Sequence, residues 1–178
     1  MMSIITVTPL LQEKDEEQVI VPLRITLLTV GKLKAKDLKG AFEDYLRRAR
    51  RYFPIEVVEV KRGRYKSSEN IDLVLKREKE RLREKIQNGS YLIVLDENGL
   101  HLSTHKFAAT LRELKLKGHQ SVSFCLGGPF GLDDEIVNGA DMKMALSKMT
   151  LPHELARVLL IEQIYRGGTI LAGEKYHK

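Results

Sequence analysis

Short apolar segments alternate with amphipathic segments along the chain from residue 24 onwards. The apolar segments are short enough for strands and rich in β-branched residues, and they are Arg24–Val30, Ile55–Val60, Tyr91–Leu95, Ser121–Leu126 and Met142–Leu146. The segments between them favour helices, chiefly through apolar residues at steps of three and four, and they are Leu38–Tyr52, Ile71–Gln87, Thr104–Lys117, Asp133–Asn138 and His153–Arg166. This alternation predicts an α/β fold with a mainly parallel sheet.

Residues at the segment boundaries refine these predictions. Ser103 and Asp133 are placed to cap the helices that follow them, because their side-chain oxygens accept hydrogen bonds from free backbone N–H groups. The segment 96–99 (DENG) carries turn residues and is expected to follow the end of the third strand. In the second helix, the residues expected to face the core are Ile71, Leu75, Leu82 and Ile86.

Composition excludes several classes of protein. The chain has 178 residues, of which 43% are hydrophobic and 30% charged, a balance typical of a globular domain. Its single cysteine, Cys125, excludes an intramolecular disulfide scaffold and is expected in the core rather than as a nucleophile. No apolar run approaches the roughly 20 residues that span a bilayer, so the sequence does not indicate a membrane-spanning protein.

Charge separates the first residues from the rest. Residues 1–22 contain one basic residue, Lys14, and four acidic residues between positions 13 and 17, so their net charge is −3. Because the whole chain has a net charge of +6, residues 23–178 have a net charge of +9. The segment 1–22 contains no arginine and does not resemble a signal or transit peptide. We therefore expect an acidic N-terminal arm at 1–22, a single domain at 23–178 and a cytoplasmic protein.

Two basic surfaces favour an anionic partner such as nucleic acid. One is a cluster around the first helix end and the loop 61–68, made of Arg47, Arg48, Arg50, Arg51, Lys61, Arg62, Arg64 and Lys66. The other is a stripe at steps of four on the second helix, made of Arg77, Arg81 and Lys85. A solvated helix face that binds nothing remains the alternative for the stripe, since glutamates at positions 78, 80 and 84 dilute it.

Three segments carry candidate chemistry. Leu126–Gly131 (LGGPFG) follows a buried strand, and its glycines allow a ligand to approach backbone N–H groups. Leu146–His153 could wrap a small molecule opposite this loop, or Ser147 and Thr150 could simply cap the last helix. The tail 176–178 offers an aromatic ring, an imidazole and a cation, although polar termini are commonly disordered.

Two further sets of residues are weaker candidates for a functional site. His101 and His105 lack a third metal ligand, so no metal site is predicted there. Glu162 lies in an apolar helix and must either pair, for example with Arg166 one turn on, or face a cleft.

Five motifs follow one another along the chain, namely ITLLTVGKLK at 25–34, GGPFG at 127–131, LSKMTLPH at 146–153, RVLLIEQIYR at 157–166 and YHK at 176–178. Together they resemble the bacterial large-subunit rRNA methyltransferase H family, which belongs to the SPOUT class. The resemblance covers residues 24–178 and implies a Rossmann-like sheet with helices on both faces. It also implies a deep C-terminal trefoil knot within roughly residues 91–178, and a homodimer.

The resemblance further implies an activity and a site. The activity is S-adenosylmethionine-dependent methylation, without a metal, of N3 of a pseudouridine in 23S rRNA of the assembled ribosome. The implied donor-binding residues are Leu95, Gly127, Leu146, Ser147, Lys148, Met149, Thr150 and Leu151. The implied catalytic residues are Arg166, Tyr176 and His177, with His177 as base or as the group that orients the base. His153 is a second candidate.

Three alternatives remain at this point. The chain could bind ribosomes or RNA on the same fold without methyl transfer. It could be a SPOUT methyltransferase acting on another RNA, such as tRNA. Without the resemblance, a basic α/β protein that binds a phosphorylated metabolite at Gly127–Gly131 would also fit.

Overall fold

A computed structural model describes residues 22–63 and 70–177. The expected acidic arm therefore lies outside the described residues except for Pro22, as do Arg64 and Lys66 of the basic loop. Lys178 and the side chain of His177 also lie outside them.

Five parallel strands form one sheet, which confirms the predicted sheet. The strands are β1 (Arg24–Val30), β2 (Ile55–Val60), β3 (Tyr91–His101), β4 (Ser121–Leu126) and β5 (Met142–Ala145). Their order across the sheet is β2-β1-β4-β3-β5. β1 and β4 are central, and almost all their side chains are buried, as expected for strands covered on both faces.

Helices cover both faces of this sheet. They are α1 (Lys36–Ala49), α2 (Ile71–Arg83), α3 (Thr104–Leu116), α4 (Asp134–Asn138) and α5 (His153–Leu171), followed by a short 3-10 helix at Lys175–His177. The larger core cluster joins α1, α3 and α5 to one face through residues such as Phe42, Phe107 and Ile161. The smaller cluster joins α2 and α4 to the other face through Leu82 and Ile136.

The predicted helix caps are confirmed. The Ser103 side chain accepts a hydrogen bond from the backbone N–H of Lys106 at 3.3 Å, and Asp133 accepts from that of Glu135 at 3.0 Å. Each satisfies one of the backbone donors that a helix start leaves unpaired.

The third strand differs from its prediction. Residues 96–99 were expected as a turn, but β3 continues to His101 with a register shift between Leu95 and Leu100 opposite Met144. Gly99 permits this close pairing, because a Cβ there would lie 2.6 Å from the backbone nitrogen of Met144. Residues 96–99 therefore form an irregularity within β3, although their residue types are typical of a turn that ends a strand.

The core face of α2 was predicted only in part. Leu82 is buried and Ile86 packs against the core as predicted, but Ile71 is 40% exposed, and Val74, Glu78 and Lys79 are buried as well. The two buried charges are satisfied: Glu78 accepts the backbone N–H of Gly63 at 2.7 Å, and Lys79 Nζ lies 2.8 Å from Glu135 Oε1. Polar partners supplied by other elements thus allow two charged side chains to be buried beside the apolar residues of this helix.

The last helix is longer than predicted. It was predicted to end at Arg166, just before Gly167 and Gly168, yet α5 continues to Leu171. At Gly168 the helix meets the turn that follows α1, since a Cβ there would lie 2.6 Å from the ring of Tyr52. Gly168 therefore allows a close approach, and neither glycine ends the helix.

Candidate active site

A cavity of about 160 Å³ lies at the carboxyl ends of β3, β4 and β5. Parallel sheets commonly bind ligands at this edge. Its wall combines leucines with glycine backbone and a few polar groups, and the lining residues are Leu95, Asp96, Glu97, Leu126, Gly127, Gly128, Gly131, Met144, Ala145, Leu146, Ser147, Met149, Thr150, Leu151, His153 and Ala156.

The glycine loop after β4 forms one wall. Gly131 donates its backbone N–H to the carbonyl of Gly128 at 3.1 Å and has a φ of +80°, which closes the loop into a tight turn. A Cβ on Gly127 would lie 2.2 Å from the carbonyl oxygen of Gly131. Position 127 therefore requires glycine if the loop is to keep this shape.

The segment between β5 and α5 forms the opposite wall. Leu146, Ser147 and Thr150 line the cavity, and the Ser147 hydroxyl accepts the backbone N–H of Met149 at 2.9 Å. Neither Ser147 nor Thr150 caps α5, whose N-cap is Pro152 without a side-chain hydrogen bond. The capping alternative is thus wrong.

The structure brings together almost all the residues that the resemblance implies for donor binding. Lys148 is the exception, since it is exposed and absent from the lining residues. Sequence reasoning missed Asp96 and Glu97, because they were assigned to a turn. Their position directly after a buried strand was the signal that could have found them.

His153 lines the cavity at the first turn of α5, with Arg157, Arg62 and Glu154 as its charged neighbours. Partial burial, followed by the positive charge of Arg157, lowers the pKa of His153 below its ordinary value. Arg157 is only 3% exposed; it donates to the carbonyl of Val30 at 2.5 Å and lies 3.5 Å from Glu59 Oε1. The neutral imidazole is therefore favoured at this wall.

The C-terminal tail packs against α5. The Tyr176 ring centroid lies 4.6 Å from that of Tyr165, and the guanidinium carbon of Arg166 lies 4.8 Å from the centre of the Tyr176 ring. Burial and a hydrogen bond with Tyr45 raise the pKa of Tyr176 to about 12. Arg166 also pairs with Glu162, with Nε 2.9 Å from Oε1, so the predicted pairing of Glu162 is confirmed.

The tail and the cavity lie at opposite ends of the same helix. His153 at the start of α5 lines the cavity, whereas Arg166 is thirteen residues further on, about 20 Å along the helix axis at 1.5 Å per residue. Neither Arg166 nor Tyr176 lines the cavity. One chain therefore holds the donor-binding and catalytic residues that the resemblance implies in two separate places.

The basic surfaces are partly neutralised. Arg47 and Arg48 both pair with Asp44, and Arg50 donates to the carbonyl of Ile55 at 3.2 Å. On the α2 stripe, Arg81 donates to the carbonyl of Lys61 at 2.6 Å. The Asp44 pairs lie within α1, whereas Arg50 and Arg81 contact neighbouring segments, so several of these cations already have partners in the chain.

The structure also bears on the cysteine, on possible metal ligands and on possible membrane-spanning helices. Cys125 is fully buried, and burial raises the pKa of its thiol to about 12, as expected of a core residue. Among residues 22–63 and 70–177, no three His, Cys, Asp or Glu side chains are grouped to hold a metal ion. The helices of the same residues include none that is long and apolar enough to cross a membrane.

Comparison with known proteins identifies the class. A family model described as "Predicted SPOUT methyltransferase" matches residues 23–177. The fold is also similar to the crystal structure of the tRNA (m1G37) methyltransferase from Aquifex aeolicus, with a TM-score of 0.50, 14% identity and coverage of 82% of this chain and 69% of that one. The chain is a member of the SPOUT methyltransferases.

Closer relatives narrow the class to one family. A ribosomal RNA large subunit methyltransferase H of Ruminiclostridium cellulolyticum is 42% identical over 159 residues, covering 88% of this chain and all of the relative. The protein of that name from Caldicellulosiruptor saccharolyticus is 41% identical over 154 residues, covering 86% and 99%. The chain belongs to the ribosomal RNA large subunit methyltransferase H family.

Proposed function

We propose that this chain transfers the methyl group of S-adenosylmethionine to N3 of a pseudouridine in 23S rRNA of the assembled ribosome. The observation that carries the proposal is the cavity at the ends of β3, β4 and β5. Its lining includes every donor-binding residue implied by family resemblance except Lys148. The names of the curated relatives support rRNA as the substrate.

The residues present fit S-adenosylmethionine. Leucines 95, 126, 146 and 151 provide apolar walls for a flat adenine ring, and the glycine loop exposes backbone groups that can bind its polar edge. The carboxyl groups of Asp96 and Glu97 suit the positive charges of the sulfonium and amino groups.

The bound donor supplies an already activated methyl group, so the protein has to position the acceptor and accept one proton. As N3 gains the methyl group, its proton passes to a base, for which we propose His177. Tyr176 stacks against the target base, and Arg166 offsets the negative charge that develops on the imide. Since Arg166 already pairs with Glu162 and lies over Tyr176, it also holds the tail in place.

A homodimer would bring the two halves of the site together. The donor cavity extends to Ala156 on α5, about 15 Å along the helix axis from Arg166, too far for one chain to use both on the same base without rearrangement. We infer that the tail of one protomer serves the cavity of the other. We also propose that 23–178 is a single domain, with a trefoil knot within roughly 91–178 and an arm at 1–22.

RNA selection is proposed to depend on the shape of the ribosome. The described residues form one sheet with its helices and offer basic side chains for phosphate contacts, so activity is expected to fall steeply with salt and to be poor on an isolated hairpin. A ribosomal substrate would place the enzyme in the cytoplasm.

Calorimetric titration with S-adenosylmethionine and S-adenosylhomocysteine tests donor binding. We expect saturable binding to the wild-type chain and none to Gly127→Arg, because even a Cβ at 127 would collide with Gly131. The matched control is Gly40→Arg, since Gly40 lies exposed on α1 with no atom within 4 Å of an added Cβ.

Two outcomes would contradict the proposal. If the wild-type chain bound neither ligand at millimolar concentration, a fold retained for RNA binding without methyl transfer would be favoured. If Gly127→Arg bound as tightly as Gly40→Arg, the donor would lie elsewhere. Transfer of labelled methyl to whole ribosomes, compared with tRNA, then tests the acceptor.

A further inference from the structure

A second cavity, of about 210 Å³, also lies at the end of β5. It shares Met144, Ala145 and Leu146 with the donor cavity, so the two adjoin at these residues. Its remaining lining residues come from the start of α3 and the middle of α5, and they are Leu102, Thr104, Phe107, Leu159 and Gln163. Apart from Met144, Ala145 and Leu146, no residue that lines the donor cavity and neither Arg166 nor Tyr176 lines it.

One end of this second cavity is polar and has a fixed hydrogen-bonding pattern. The Thr104 hydroxyl donates to Gln163 Oε1 at 2.9 Å, and Gln163 Nε2 donates to Glu162 Oε2 at 2.6 Å. Glu162 is held in turn by Arg166. A carboxylate paired with arginine can only accept hydrogen bonds, so the amide nitrogen must face Glu162 and the amide oxygen must face Thr104.

The oriented oxygen of Gln163 keeps binding capacity. A carbonyl oxygen has two lone pairs, and Thr104 occupies one of them. The other accepts no hydrogen bond from the residues that the structure describes. The second cavity therefore presents an acceptor of known orientation at one end and apolar side chains, including Phe107 and Leu159, around it.

Positions along α5 place this acceptor away from the donor. Ala156 lines the donor cavity and Gln163 lies seven residues further on, about 10 Å along the helix axis. A flat ring in the second cavity would thus have one edge towards the donor cavity and another towards Gln163.

We propose that the second cavity holds the acceptor base, and that Gln163 Oε1 accepts a hydrogen bond from N1–H of pseudouridine. This inference rests on the proposed function. Pseudouridine is linked to its ribose through carbon, so N1 keeps a hydrogen that uridine lacks. With N3 directed towards the donor, N1–H lies beyond the C2 carbonyl, on the side of Gln163. The residue therefore determines specificity for pseudouridine over uridine.

Removing the hydrogen-bond acceptor of Gln163 tests whether this residue determines the preference for pseudouridine. The substrates are whole ribosomes that carry pseudouridine at the methylated position and ribosomes from a strain that leaves uridine there. For the wild-type enzyme we expect kcat/KM to favour pseudouridine by about tenfold or more, because a buried acceptor without its donor is costly. In Gln163→Met, which keeps the side-chain length, this ratio should fall to near one.

Matched variants separate specificity from folding. Thr104→Val, which loses the hydroxyl that orients the amide, should lower the ratio in the same direction but less. Gln120→Met makes the same change at an exposed position at the other end of β4, and it should keep the wild-type ratio. Affinity for S-adenosylmethionine, measured by calorimetry, should be unchanged in all three variants, which shows that the donor cavity is intact.

Several results would overturn the inference. Gln163→Met could keep the preference for pseudouridine, or it could lower kcat/KM equally on both ribosomes. A changed dimer dissociation constant in sedimentation with an unchanged ratio would assign the cavity to a subunit interface instead. Failure of the proposed function is distinguishable from these, since the wild-type enzyme would then methylate neither kind of ribosome.

Discussion

At the scale of single residues, Arg157 connects the sheet to the candidate active site. Its guanidinium is buried, and burial lowers its pKa. The hydrogen bond to the Val30 carbonyl and the ion pair with Glu59 stabilise the buried charge. One turn earlier on the same helix, His153 lines the donor cavity and has its pKa lowered in part by this charge. A buried cation thus fixes the start of α5 and influences the protonation of a cavity residue. Nothing in the apolar periodicity of the helix singled it out.

Cys125 should be chemically inert in the native protein. It is fully buried in β4, and the pKa of its thiol is raised to about 12, so the reactive thiolate is scarce at any pH below that value. A disulfide reagent added at pH 8 should react only after denaturation, followed as absorbance of the released thiol. Rapid stoichiometric reaction of the folded chain at pH 8 would contradict both the burial and the assignment of Cys125 to the core.

At the scale of elements, the two adjacent glycines in α5 should respond oppositely to alanine. A Cβ at Gly168 would lie 2.6 Å from the rigid ring of Tyr52, so Gly168→Ala should lower the free energy of unfolding by about 1–3 kcal/mol. At Gly167 the nearest atoms would be 3.6 Å away, which is ordinary contact, so Gly167→Ala should raise it by about 0.5–1 kcal/mol.

Urea denaturation of the two variants and the wild-type chain measures these changes. Each variant controls for the other, because both replace a glycine in the same helix by the residue with the best helix propensity. Equal stabilisation by both would show that α5 is not in close contact with Tyr52, in the turn after α1. Equal destabilisation would show that α5 ends before these glycines.

The local pattern of apolar and polar residues was sufficient to predict most strands and helices. It was insufficient where contacts with distant residues determine the ends or the buried face of an element. The strands β1, β2 and β4 match their predicted bounds because their apolar runs are closed by glycine, proline or charge. The bounds of β3 and α5 depend on partners far along the chain, Met144 for one and Tyr52 for the other. The buried face of α2 depends on polar partners at Gly63 and Glu135.

The candidate site shows the same division. The glycine loop and the segment after β5 could be singled out from residue types, because they follow predicted strands at the edge where ligands bind. The side-chain amide of Gln163 could not be singled out in this way. Its orientation arises from a contact between α3 and α5, in which Thr104 and Gln163 are 59 residues apart in the sequence. Residue types indicate chemistry, whereas the pairing of distant segments determines which atoms face a cavity.

At the scale of the whole molecule, the distance between cavity and tail is the reason we propose a site built from two chains. In a two-fold dimer, each cavity would be completed by the tail of the other protomer, giving two equivalent sites. Such an arrangement predicts that defects in the cavity and in the tail complement each other when they are carried by different chains.

Heterodimers of Gly127→Arg and Tyr176→Ala test this arrangement. Each homodimer should be inactive on ribosomes, because every site lacks either the donor cavity or the tail. A heterodimer isolated with two different affinity tags combines one intact cavity with one intact tail, so we expect about half of the wild-type rate per dimer. The reciprocal heterodimer, in which one chain carries both substitutions and the other is wild-type, should be inactive. If each chain used its own tail, the results would be reversed, with no activity in the first heterodimer and half in the second.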